Sequence, residues 1–153
     1  MPTDVSRMTF PELLKHIEEL PAGKKVDAIR QLTKIVPGLR DVFELVFRTD
    51  LEIDLPAGDP PYKPLDMPEN WGYNRLPKEI KKFKYFVKSI PNNLTKSKKE
   101  KMFIDMLESV SPEEAKLVLM IKDKKLKYKG ITRKVVEEAI PTLFEGEKVN
   151  QNV

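Results

Sequence analysis

A chain of 153 residues with 40% hydrophobic and 34% charged side chains has the composition of one globular domain, and a domain of this size buries roughly two-thirds of its unfolded surface. It contains no cysteine, which excludes disulfides, thiolate nucleophiles and cysteine-based zinc sites together. The net charge of +4 conceals a division: residues 1–74 carry nine Lys and Arg against thirteen Asp and Glu, while residues 75–153 carry nineteen against eleven. That polarity suggests an anionic partner for the second half. Met1 to Phe10 include Asp4 and Arg7 and lack the apolar centre of a signal peptide. No apolar run approaches the ~20 residues of a membrane span, so the expected location is the cytoplasm, away from any membrane.

Taken in chain order, the first helix opens at Thr9, which with Glu12 makes a capping-box pattern around Pro11. Leu13, Leu14, Ile17 and Leu20 share its face, and Pro21-Ala22-Gly23 ends it. A second helix is predicted from Lys24 to Val36, with Val26, Ile29, Leu32, Thr33 and Val36 inward; Pro37-Gly38 breaks it. A third, Leu39 to Phe47, buries Val42, Phe43 and Val46.

Residues 49–77 read as a proline-rich loop insertion, since Pro56, Pro60, Pro61, Pro64, Pro68 and Pro77 exclude long helices and central strands. Within it, Leu51-Glu52-Ile53-Asp54-Leu55 alternates as a short strand would. Trp71, Tyr62, Tyr73 and Leu65 are expected to pin the loop onto the helices. Helical spacing returns at Ile80, Phe83, Phe86, Val87 and Ile90, with Lys78, Lys81, Lys82, Lys84 and Lys88 between them. Pro91-Asn92-Asn93 is a turn, and a helix from Lys96 to Val110 follows. Ser111-Pro112-Glu113-Glu114 starts another helix with cap, proline and Glu in their favoured places. Thr132 caps the last helix, which ends at Pro141. The expected organisation is a single all-α domain over 1–145, a compact multi-helix array, followed by a polar tail over 146–153.

Catalytic patterns are missing. The glycines are isolated and form no phosphate loop. His16 is the only histidine and its position beside the apolar face of the first helix fits a surface or boundary residue. Asp50, Glu52 and Asp54 would share a face of an extended segment and could ligate a divalent cation, but they lack the Gly and terminal Glu of a calcium loop, and a solvated edge is the simpler reading. No metal, no cofactor and no enzymatic activity are expected.

The sharpest local feature is basic. Lys122, Lys124, Lys125, Lys127 and Lys129 are separated only by Asp123, Leu126 and Tyr128. Gly130 then allows close backbone approach, and Thr132 opens a helix carrying Arg133 and Lys134 in its first turn. Exposed amides at a helix start, beside cations, suit phosphate; a solvated linker with a capping threonine is the plainer alternative.

The run Phe103-Ile104-Asp105-Met106-Leu107, Ser111 to Leu126, and Gly130-Ile131-Thr132-Arg133-Lys134 onward to Pro141 resembles the end of the helical DNA-binding domain of ATP-dependent DNA ligases. Lys24 to Phe47 is similar to the opening of that domain in tailed-phage ligases. The resemblance implies an all-helical fold that holds duplex DNA through its backbone. Gly130 lies four positions rather than three beyond Leu126, and the family's adenylated Lys with its following Asp-Gly occurs nowhere, so the resemblance implies a free-standing relative without ligation or nucleotidyl transfer. In style the chain also resembles accessory proteins of tailed phages.

The leading expectation is a non-catalytic accessory protein contacting duplex DNA phosphates through Lys124, Lys125, Lys127, Lys129, Gly130, Thr132, Arg133 and Lys134, flanked by Lys81, Lys82, Lys98 and Lys99. The alternative is a module that docks a host or viral protein through Trp71, Tyr62, Tyr73, Asp50, Glu52 and Asp54.

Overall fold

The capping box at Thr9 forms as its spacing predicts. In the computed structural model, which describes residues 8–56, 58–64 and 75–145, the Thr9 amide donates to the Glu12 carboxylate at 2.9 Å and the Glu12 amide donates back to the Thr9 hydroxyl at 3.3 Å. Helix α1 (Phe10–Glu19) buries Phe10, Leu13, Leu14 and Ile17. Helix α2 (Ala22–Ile35) begins two residues earlier than expected, and α3 spans Leu39–Phe47. Between them Gly38 adopts φ +88° as N-cap of α3, and a side chain there would crowd Phe10 Cζ and Ile80 Cγ2 at 3.2 and 3.3 Å. Only glycine takes that left-handed conformation without strain.

After α3 the chain runs irregularly. The alternation at Leu51–Leu55 yields an isolated antiparallel bridge between Ile53 and Val87, fastened by Asp54 N to Phe86 O and by Lys88 N to Glu52 O at 2.9 Å. Tyr62 is half-buried against the core. Trp71, Tyr73 and Leu65 lie outside the described residues. The helix expected after Pro77 differs in kind: α4 covers only Leu76–Glu79, and Ile80–Phe86 continues as a 3-10 helix, η1. Its buried residues, Ile80, Phe83 and Phe86, recur every three residues, the period of a 3-10 turn. Phe83, Phe86 and Phe103 pack edge to face with centroids 5.5–6.2 Å apart. Ile90, expected on this inner face, is 40% exposed, because the helix stops at the bridge.

Helix α5 (Lys96–Ser109) leads to α6 (Pro112–Asp123), where the second capping box is complete. Helix α6 is the central helix. It packs against α1, α3 and α5, and Ala115, Leu117, Val118 and Ile121 are fully buried. Helix α7 (Arg133–Ala139), capped by Thr132, lies on α2 and continues into a short 3-10 turn, η2 (Pro141–Phe144). The buried apolar side chains form one cluster. The fold is all-α, and no strand longer than the single bridge occurs among the described residues.

Candidate nucleic-acid interface

The basic connector begins where α6 ends. Lys124 terminates that helix in the left-handed conformation, φ +56°, and its amide reaches the carbonyls of Ile121 and Met120. Glycine is the usual occupant of such a position. Here the lysine contributes something glycine cannot: its ammonium donates to Leu45 O and, at 2.8 Å, to Leu51 O. Leu45 belongs to the last turn of α3, whose carbonyls have no partners within the helix. Arg133 serves the same end, donating to Phe47 O at 2.8 Å while binding Glu137 at 2.7 Å and lying 4.4 Å over the ring of Phe144.

The pattern recurs. Lys25 is buried and donates to Glu18 O at 2.8 Å and to Leu20 O, closing the end of α1. Arg30 donates to Ala139 O and Glu138 O at 3.2 Å each, closing the end of α7. Cations at helix C-termini satisfy orphan carbonyls and face the negative end of the helix dipole. Buried Lys122 donates to Pro56 O at 3.2 Å and pairs with Asp123 at 2.6 Å. Buried Lys99, expected in the flanking field, pairs with Asp54 at 3.0 Å. Part of the cationic surplus of the second half therefore holds the fold together. Sequence spacing carried a signal for this. Lys25 precedes Ile29 by four residues, Lys99 precedes Phe103 by four and Lys122 follows Val118 by four, so all three sit on apolar stripes.

Past Lys124 the exposure alternates. Lys125, Lys127 and Lys129 are exposed, while Leu126 and Tyr128 are half-buried against the core and Ile131 is buried. The Lys129 amide is held by the Glu18 carboxylate at 2.7 Å. Gly130, at φ +78°, does present a close approach, but Lys25 occupies it: a Cβ on Gly130 would overlap the Lys25 Cε. The Thr132 hydroxyl accepts from Val135 N at 3.4 Å and the Ile131 amide donates to Tyr128 O at 3.2 Å, so the fold itself uses part of the amide cradle expected at this helix start. Lys134, Lys98, Lys81 and Lys82 are exposed, Lys82 beside the buried Glu79 carboxylate at 3.0 Å. Burial and the nearby carboxylates of Glu113 and Glu18 push the Tyr128 hydroxyl above its ordinary pKa.

Lys125 and Lys127 line an open groove of about 630 Å³ with Lys116, floored by Leu119 and Met120 and bordered by Asp59 and Asp123. The acidic residues of 50–54 do not converge. Arg48 binds Asp50 through two hydrogen bonds at 2.6 and 2.9 Å and holds its carboxyl below the usual range. The hydrogen bond from Lys99 does the same for Asp54. Glu52 alone of the three is exposed, and no metal-binding group of three or more His, Asp or Glu occurs among the described residues. His16 is exposed in the last turn of α1.

The fold and its site thus define an all-helical protein whose helix ends are closed by basic side chains and whose one long basic connector keeps a row of lysines in solvent. The chain belongs to a family of unknown function, DUF6433, whose profile matches residues 14–128, from within α1 to Tyr128. No curated protein and no solved structure gives a significant match to it.

Proposed function

We propose that this protein is a non-catalytic DNA-binding accessory protein that contacts the phosphate backbone through Lys125, Lys127, Lys129 and Lys134. The observation that carries the reading is the alternation along 125–129. Leu126 and Tyr128 are anchored on the core while the three lysines are exposed. A row of cations held by a fixed backbone loses less freedom on binding than lysines on a loose tail. The order α5, α6, basic connector, α7 is also the order implied by the resemblance to the ligase DNA-binding domain, which adds support. Lys124 and Arg133 contribute indirectly, by fixing where the connector starts and where α7 begins.

A salt titration of binding to labelled duplex DNA tests the reading. Each phosphate neutralised contributes about −0.9 to the slope of log K against log salt. Replacing Lys125, Lys127 and Lys129 together by Gln flattens the slope by up to about 2.7 and weakens binding alike for unrelated sequences. An unchanged slope in that variant refutes the connector as the contact surface.

A further inference from the structure

We infer that the 3-10 segment η1 and the turn before it form a second phosphate-binding ridge, built from Lys78, Lys81 and Lys84, for the backbone of a nucleic-acid strand. The ridge shares with the connector the premise that the ligand is a nucleic acid, and it names a separate contact element. Its basis is the helix type. In a 3-10 helix residues three apart eclipse one another, with a rise of about 6 Å between them. An α-helix over the same residues would fan Lys78 and Lys84 across about 120°. The burial of Ile80, Phe83 and Phe86 at every third position, and the pinning of the helix end by the Ile53–Val87 bridge, set the 3-10 winding. That winding aligns Lys81 with Lys84, and Lys78 stands one three-residue step before them in α4.

All three lysines are exposed. Lys84 Nζ lies 5.3 Å over the Tyr85 ring, a contact that fixes the ammonium without consuming its donors. Asp41 is the neighbouring acid, close enough for Lys81 and Arg40 to act on it, while burial raises its carboxyl above the ordinary range. Lys82 is committed to Glu79 and belongs to a different row. The step along the row is close to the separation of adjacent phosphates on one strand. A bilayer surface is the other common polyanion, but the apolar residues of this segment, Ile80, Phe83, Phe86 and Val87, are at most 2% exposed. The one partly exposed ring of the segment, Tyr85, lies under the Lys84 ammonium, and peripheral membrane binding draws on apolar insertion as well as on charge.

The far end of the ridge is tied to the connector. Lys88 N donates to Glu52 O and Lys124 Nζ donates to Leu51 O, so adjacent peptide units of one strap anchor both basic elements. Their relative position is fixed by the fold.

The test compares three proteins on one labelled duplex across a salt series: wild type, a ridge variant with Lys78→Gln, Lys81→Gln and Lys84→Gln, and the connector variant described above. Circular dichroism and the urea midpoint establish that each is folded; the substituted side chains are exposed. The expected result is a ridge variant whose slope is flatter by up to about 2.7, so that its affinity drop between 50 and 200 mM salt is smaller by roughly fortyfold. A ridge variant with wild-type affinity and slope, beside a weakened connector variant, overturns the ridge and leaves the connector reading standing. The converse result supports the ridge and overturns the connector. Phosphatidylserine vesicles supply the second arm: wild-type binding to vesicles that the ridge variant loses, with no effect of that variant on DNA, also overturns the inference.

Discussion

Lys124 separates two accounts of the basic connector, because its backbone and its side chain contribute to stability with opposite signs. At φ +56° any residue with a Cβ costs about 1–2 kcal/mol relative to glycine. The ammonium offsets this by donating to Leu45 O and Leu51 O. Hydrogen bonds from a charged donor are worth about 1.5–3 kcal/mol when buried; for this half-exposed pair about 2 kcal/mol in total is a fair value. Lys124→Ala keeps the strain and loses the bonds, so it destabilises by about 2 kcal/mol. Lys124→Gly loses the same bonds but relieves the strain, so it destabilises by about 0–1 kcal/mol. The expected order is wild type, then Gly, then Ala, measured by urea unfolding with m held constant. If Lys124 were instead a solvated lysine at an ordinary helix end, Lys124→Gly would be more stable than wild type by about 1 kcal/mol. That sign in the glycine variant refutes the tethering of α3 by Lys124.

Two further outcomes follow from the same contacts. Gly130→Ala combines left-handed strain at φ +78° with overlap on the Lys25 stem and is expected to cost about 2 kcal/mol or more. In a Lys25→Ala background that cost should fall by at least about 0.5 kcal/mol, and strict additivity in the double-mutant cycle would show that the two residues do not meet. The pH dependence is governed by the acid pairs. The carboxyls of Asp50 and Asp54 are held below their ordinary 3.8 by Arg48 and Lys99, so their contribution is present above that value and is lost as pH falls through the folded-state pKa values. Asp41, raised by burial, works in the opposite sense. The double variant Asp50→Asn, Asp54→Asn is expected to lose less stability than wild type when urea midpoints are compared at about pH 5 and about pH 3; an equal or greater loss would place the acid sensitivity elsewhere.

Much of this molecule was legible in its residues. The capping boxes at Thr9 and Ser111, the cap at Thr132, the break at Pro37-Gly38 and the helix Leu39–Phe47 are local features, and they formed as read because each is decided within one or two turns of chain. The residue types of the connector were legible for the same reason. Which of its cations face water was not. Lys25, Lys99 and Lys122 stood on apolar stripes, and Lys124 and Arg133 stood among other lysines, yet all five are bound to carbonyls or carboxylates of distant segments. A side chain's charge is written in the sequence, but the carbonyl or carboxylate that claims it lies on another segment, and only packing brings the two together. The winding of 80–86 was undecided in the same way. Isolated periodicity suits an α-helix there, whereas the phenylalanine cluster with Phe103 and the bridge to Ile53 favour three residues per turn. The sequence by itself therefore determined most of the helices, their caps and the net positive charge. Tertiary structure decided which cations hold the fold and which remain exposed, because burying a charge is tolerated only where a partner from elsewhere in the chain meets it.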